Sequence, residues 1–310
     1  MKLTKEKKHI AFCVNDEYSD YIRVPIKSII DNLADSEDYY EIYILSEFIS
    51  SRRTKRLLEL NKLSKNINIQ ICIINNYKLK GLKTSNWDIS AWYRILLPEI
   101  LSKEITKVLY LDADTLVLKN LSCLFSMDMI NKSIAAVIDY QNLFNIVFDR
   151  CGYEKTKGYI CSGVMMMNLS YWRENNLTEK IISWAMENEN KLRCPDQDAI
   201  NYICRDSKII LPMKYGIMDS FLTNPIFQEN GYSAQIKDCI YNPVIIHYNG
   251  KTPWYKEYKK HTFNKEWEKY NNLLDKPVKR HYQARGILKF KIIIYNLFKF
   301  RKLMINVIGA

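Results

Sequence analysis

The sequence predicts an α/β fold: one domain on a mixed, mostly parallel central sheet, followed by a basic, apolar helical extension. Three observations carry this. Short β-rich apolar runs alternate with helix-like stretches over about the first 110 residues, the pattern of βαβ units. A compact apolar strand, 107–111, runs directly into Asp112-Ala113-Asp114. Composition then shifts near Pro277, so the main domain is expected to span 1–276 and the extension 277–310.

Residues 9–14 (H-I-A-F-C-V) read as a buried strand ending at the polar turn Asn15-Asp16-Glu17. A helix is expected over about 21–33. Residues 40–45 alternate and are rich in β-formers, a second strand. Residues 51–64 place Leu57, Leu60 and Leu63 at helical spacing, and 67–74 form a third strand. Residues 91–101 read as a helix that Pro98 ends or kinks. Beyond the strand at 107–111 the pattern is mixed, with strands at 134–138, 163–168 and 244–247 and helices at 177–190 and 198–204. Gly and Pro are sparse, so no long flexible linker is expected.

With 47% hydrophobic and 26% charged residues, the 310-residue chain is globular rather than disordered. Its net charge is +12, but eight Lys/Arg and no acid lie in 279–310, leaving +4 on the rest. Such charge suits nucleic acid, a membrane surface or acidic small molecules. No recognised nucleic-acid module accompanies it, so no nucleic-acid partner is expected. Residues 286–308 mix basic residues with Ile, Phe, Leu, Tyr and Met, and the longest uncharged stretch is 292–298. That is too short to span a bilayer, which takes about 20 residues. It suits helices lying in the interface of an anionic inner membrane surface, or a helical cap packed on the domain.

The eight cysteines form no C-x-x-C pair and no zinc spacing with the four histidines. Several lie in apolar runs, as buried free thiols do. The N-terminus has no signal-peptide core. The expectation is a reduced, cytoplasmic protein, peripheral on the membrane through its tail.

Open α/β sheets bind ligands at the carboxyl ends of their strands. Asp112 and Asp114 stand at such an end, one residue apart, where both can turn toward one hard divalent cation. Mn²⁺ or Mg²⁺ there bridges two phosphates and neutralises a departing diphosphate. D-x-D alone also fits a solvated turn. Here apolar segments flank it on both sides through 108–118, and burying unpaired carboxylates is costly, so a metal or a basic partner is expected.

The run Y-L-D-A-D-T-L-V closely resembles the central motif of the retaining glycosyltransferases of the glycogenin and lipopolysaccharide galactosyltransferase type, family 8. The resemblance extends from about Ile10 to Trp254 through five segments in order. It implies a single GT-A (Rossmann-like) catalytic domain and a UDP-sugar donor. In Phe12-Cys13-Val14-Asn15-Asp16-Glu17-Tyr18, the turn would hold uracil and ribose. Cys13 would line it, Tyr18 would stack on uracil, and Asn15 Oδ1 would accept the uracil N3–H. Read as residues alone, this is equally a polar turn with a core tyrosine. Ser90-Ala91-Trp92-Tyr93-Arg94-Ile95 resembles the segment whose arginine points into the donor site; Arg94 would fork onto sugar, phosphate or carboxylate, or form a structural ion pair with one of the aspartates.

Three further segments complete the resemblance. Cys161-Ser162-Gly163-Val164 resembles N-x-G-V, with Cys161 where Asn is common and Gly163 allowing close approach to the donor. The methionines 165–167 read as core. Pro195-Asp196-Gln197-Asp198 matches the D-Q-D helix start, an acidic first turn that also suits the helix dipole. By resemblance Asp196 bonds the transferred sugar and Gln197 lies near the anomeric carbon. Gln197 is not a carboxylate, which favours front-face displacement over a covalent intermediate. In His247-Tyr248-Asn249-Gly250-Lys251-Thr252-Pro253-Trp254, His247 would complete the metal sphere with Asp112 and Asp114, and Gly250 and Lys251 would meet the diphosphate. Thr252 stands where the pattern has lysine.

The expected activity is transfer of glucose or galactose from a UDP-hexose to a hydroxyl of a glycan acceptor, lipid-linked as in a lipopolysaccharide core. The alternatives are a non-catalytic sugar-nucleotide-binding or scaffold protein, or a transferase extending protein O-glycans.

Overall fold

The expected parallel strands form and set the sheet. β1 (Lys7–Cys13), β2 (Tyr39–Ser46), β3 (Ile67–Ile73) and β4 (Lys107–Leu111) run parallel, in a computed structural model that describes residues 7–33, 38–250, 252–258 and 261–283. β5 (Thr115–Val117) follows the acidic run, then β6 (Ile134–Ile138), β7 (Ile160–Asn168), β8 (Lys208–Ile210) and β9 (Ile245–His247). β7 lies antiparallel between β4 and β6, and β8 closes the edge parallel to β6, so the seven-stranded order is β3-β2-β1-β4-β7-β6-β8. The fold is thus α/β on a mixed, mostly parallel sheet, as expected.

Both faces of the sheet are apolar. Ile10, Phe12, Ile42, Ile44, Leu109 and Leu111 pack on one side, and Ala11, Tyr43, Leu45, Val108 and Tyr110 on the other. This period of two with no polar face is what a sheet covered by helices requires. Met165, Met166 and Met167 are fully buried across both clusters, which makes them core. The cysteines are all free, and Cys13, Cys151, Cys161, Cys204 and Cys239 are buried.

Several boundaries differ from the sequence reading for identifiable reasons. Residues 91–101 are not one α-helix: a 3₁₀ stretch Ile89–Leu96 precedes a short α-turn Leu97–Ile100. Pro98 sits in the first turn, where its missing N–H costs nothing, so it opens the turn rather than ending a helix. The D-Q-D helix begins earlier than expected, at Pro195–Ile203, for the same reason. β7 starts at Ile160, which pairs with Ile138 across a register shift, although Cys161 and Ser162 interrupt the apolar run.

β5 and β9 form a separate antiparallel ribbon with Thr115 opposite His247. Residues 276–283 run back along the loop after β9. Arg23 Nη1 donates to the Lys276 carbonyl at 2.8 Å. His281 exchanges backbone bonds with that loop, accepting from Lys256 at 2.8 Å and donating to Trp254 at 3.1 Å. The remainder of the basic extension, 284–310, lies outside the described residues, as does Lys251. Among the described residues no helix is long and apolar enough to cross a membrane.

Candidate active site

The carboxyl end of β4 and the β5–β9 ribbon build the centre together. The Asp112 N–H donates to the Gly163 carbonyl on β7 (2.8 Å), and the Asp112 carbonyl accepts from Thr115 N–H (3.2 Å) and its hydroxyl (2.8 Å). That turn starts β5, whose partner strand delivers His247. Tyr248 N–H then donates to the Asp114 carbonyl (2.9 Å). In consequence His247 Nε2 lies 3.3 Å from Asp114 Oδ1 and 3.7 Å from Asp112 Oδ2. One ligand atom from each of the three falls within 4.8 Å of the others. Gly163 leaves the space they need: a Cβ there would stand 2.3 Å from His247 Cε1 and 2.6 Å from Asp112 Oδ2.

The electrostatics match a cation site. Burial pushes the Asp114 carboxyl up, but His247 and backbone N–H groups, Gly250 among them, outweigh it and hold the pKa low. Burial disfavours charge on His247; Cys161 and Asp114 together lift it well above 6.5 all the same. Among the described residues, two carboxylates and one imidazole converge here, a donor set that could hold a divalent ion.

A second layer lies beneath. Arg94 is buried and reaches Asp112 Oδ1 (3.0 Å), Asp196 Oδ2 (3.4 Å), the Ser162 carbonyl (2.7 Å) and Ser162 Oγ (3.0 Å). Its guanidinium lies 4.3 Å from the centre of the Tyr110 ring, and Tyr110 donates to the same Asp112 oxygen. The ion pair left open by the sequence therefore forms, with two aspartates at once. Burial raises the Asp196 carboxyl, and Arg94 pulls it back. Gln197 Oε1 accepts from Ser162 N–H (3.0 Å), and its Nε2 donates to the Tyr159 hydroxyl (3.2 Å). Tyr159 donates to Asp198 (2.6 Å), a fully buried carboxylate that Arg150 neutralises. The Gln197 amide is thus fixed at both ends.

A cavity of about 320 Å³ opens over the first layer. Of the expected site residues, Cys13, Tyr18, Arg94, Asp112, Ala113, Asp114, His247 and Gly250 line it. Asp196 and Gln197 lie under this wall, joined to it by Arg94 and Ser162. Cys161 lies behind His247, its Sγ 3.4 Å from Nδ1, rather than on the cavity surface. Asn15 faces an adjoining open cleft with Asp16, Glu17 and Arg53. Its Oδ1 already accepts from Tyr18 N–H at 3.0 Å, because the turn closes on itself.

The sequence reading missed Tyr110, Trp87, Asp88, Tyr255 and Gln283 in the cavity wall. Tyr110 was findable, since residues two apart on a strand share a face. Asp139 was missed too. It is a buried acid at the end of β6, and β6 is parallel to β4, so it stands on the same sheet edge as Asp112. Burial raises its carboxyl, and hydrogen bonds from Gln141 and Gln197 oppose that.

Comparison with known proteins agrees with this architecture. The galactosyltransferase LgtC, solved with donor and acceptor sugar analogues, superposes with a TM-score of 0.74 at 21% identity, over 86% of this chain and 96% of that one. An Escherichia coli lipopolysaccharide 1,2-glucosyltransferase is 28% identical over 81% of this chain and 74% of its own length. General stress protein A of Bacillus subtilis is 28% identical over 84% and 92%. A Salmonella typhimurium lipopolysaccharide 1,3-galactosyltransferase is 24% identical over 81% and 74%. The profile described as glycosyl transferase family 8 matches residues 9–257, and the chain belongs to that family.

Proposed function

We propose that this chain is a retaining glycosyltransferase that moves glucose or galactose from a UDP-hexose to a hydroxyl of a surface glycan, such as a lipopolysaccharide core, with Mn²⁺ or Mg²⁺. The observation that carries this reading is the Asp112–Asp114–His247 cluster in the wall of a cavity of about 320 Å³. Ligand pockets run from roughly 300 to 1,000 Å³. The lipopolysaccharide glucosyl- and galactosyltransferases among the relatives support the hexose and the acceptor class.

The residues fit a hard divalent ion: two carboxylates and an imidazole converge, and Gly163 keeps the space clear. When bound, that ion neutralises charge gathering on the departing diphosphate. Arg94 and Tyr110 hold Asp112 Oδ1, which leaves Oδ2 on the His247 side. Tyr18, edge-on to Trp254 at 5.6 Å, offers a ring to the base. By the family resemblance Lys251, which lies outside the described residues, would meet the diphosphate as a point charge. Gln197 has no carboxylate to form a covalent link, so the reading takes front-face displacement, with Asp196 toward the sugar.

The test is hydrolysis of a panel of UDP-sugars with Mn²⁺, with and without chelator. One or two UDP-hexoses should be cleaved, and the chelator should abolish it. No cleavage of any UDP-sugar with Mn²⁺ would sink the reading and leave a non-catalytic nucleotide-sugar-binding protein.

In this reading the catalytic unit is followed by a membrane-associating end that holds the enzyme on the cytoplasmic face. Six Lys/Arg and no acid lie among residues 284–310. Deleting 284–310 should abolish flotation with anionic vesicles while UDP-sugar hydrolysis persists; unchanged flotation contradicts the anchor. The cut belongs after Gln283, because Gln283 lines the cavity.

A further inference from the structure

We propose that Cys161 is a positioning residue for His247: its sulfur accepts the imidazole Nδ1–H, so that Nε2 presents its lone pair to the metal. The inference rests on the metal reading above and goes beyond it, since it gives a role to Cys161, which stands where Asn is common in the motif.

A neutral imidazole carries one N–H, and a metal ligand must keep it on the nitrogen away from the ion. At His247 the two nitrogens have separate surroundings. Nε2 faces Asp114 Oδ1 at 3.3 Å and Asp112 Oδ2 at 3.7 Å. Nδ1 faces Cys161 Sγ at 3.4 Å, a normal separation for a hydrogen bond to sulfur. The imidazole and the thiol are each 3% exposed, so bulk water does not readily take the place of either.

Two neutral arrangements satisfy that contact. If the thiol donates to Nδ1, the ring proton sits on Nε2 and points at the carboxylates, which blocks a metal. If Nδ1–H donates to sulfur, Nε2 is open. Only the second arrangement would leave Nε2 free for a divalent ion, and Cys161 would then be the acceptor that holds the ring proton on Nδ1.

The ring itself is set by packing. His247 pairs with Thr115 across the ribbon, and Gly163 lies against the Cε1–Nε2 edge so closely that no Cβ fits. Two residues of β7 therefore treat the two sides of one imidazole differently. Gly163 gives room to the metal-facing edge, and Cys161 gives a partner to the opposite nitrogen. Sulfur is a weak acceptor, so this hold is softer than a carboxylate or carbonyl would provide. Loss of such a partner costs a metal-bound histidine about 10- to 100-fold in affinity, and the weak acceptor points to the lower end, about 10-fold.

The experiment titrates Mn²⁺ alone into full-length, metal-free protein and reads free Mn²⁺ by electron paramagnetic resonance. Cys161→Ala and Cys161→Val remove the acceptor, Val at nearly the volume of Cys. Cys161→Ser keeps an acceptor. Ala and Val should each weaken Mn²⁺ about 10-fold, and Ser should stay within about threefold of wild type. Wild-type affinity in both Ala and Val, or a Ser variant as weak as Ala, overturns the proposal. If only one variant of the acceptor-free pair folds, the comparison with Ser decides. Asp114→Asn runs alongside: weakened binding there with unchanged Cys161 variants leaves the metal reading standing without this proposal. Equal binding by wild type and Asp114→Asn removes both.

Discussion

Asp114→Asn is expected to lower Mn²⁺-dependent UDP-sugar hydrolysis by more than about 100-fold, beyond the 10- to 100-fold typical of losing only an indirect partner of a metal ligand. The substitution keeps the size of the side chain and one oxygen. What it removes is the negative charge nearest to His247. The two groups are linked: the Asp114 carboxyl is held low, although burial opposes it, and His247 is lifted above 6.5. A metal needs the neutral imidazole, so binding must displace a proton from His247, and wild-type Mn²⁺ affinity should rise with pH across neutrality. In Asp114→Asn the upward pull on His247 is weaker, and the residual affinity should depend on pH less steeply.

The same pair sets the pH response of the metal-free fold. A raised His247 contributes stability that is fully present below 6.5 and is lost as pH rises through its raised value. A lowered Asp114 contributes stability present above 3.8 and lost as pH falls through its lowered value. Metal-free wild type should therefore be most stable between these limits, and Asp114→Asn should flatten that maximum in thermal unfolding. Hydrolysis within tenfold of wild type, or an unchanged Mn²⁺ titration, would show that Asp114 is not a ligand.

The sheet was legible where local pattern and environment agree. β1, β2 and β4 carry buried apolar residues on both faces, and the helix-like separators of β1 to β4 make the parallel order the natural one. The β5–β9 ribbon was not legible as a pair. Its strands are three residues each, and their pairing joins segments far apart in sequence, which no local periodicity records. His247 came out of the sequence as a ligand by resemblance; the ribbon is the physical reason it arrives at Asp114. Asn15 and Cys161 illustrate the limit from the other side. Both sit in motifs that imply donor contacts; Asn15 Oδ1 already accepts one bond, from Tyr18 N–H, and the path of β7 carries Cys161 behind the imidazole. Residue type is readable from a motif, whereas the direction of a side chain depends on pairing and bulges, and β7 shifts register against β6 between Ala136 and Ile138.

Gly163→Ala should be the most damaging single methyl in the molecule, with hydrolysis and Mn²⁺ affinity falling at least as far as in Asp114→Asn. The backbone is not the reason, since Gly163 is absent from the positive-φ glycines. The added Cβ would lie 2.3 Å from His247 Cε1, 2.6 Å from His247 Nε2 and 2.6 Å from Asp112 Oδ2. None of these atoms belongs to a flexible side-chain end. The imidazole is buried on a paired strand, and Arg94 and Tyr110 hold the Asp112 carboxylate through its other oxygen. Relief must come from moving a ligand or the strand, so overpacking should cost about 1–3 kcal/mol of stability in urea unfolding. A double variant separates the two consequences. With His247→Ala in the background, the clash with the ring disappears, and Gly163→Ala should then cost markedly less stability than it does alone, while hydrolysis stays lost. If Gly163→Ala keeps hydrolysis within threefold of wild type, or costs the same stability in both backgrounds, the glycine is not what makes room for His247. A positive result would revise the role read from the motif: this glycine serves the ligands of the metal before it serves the approach of the sugar donor.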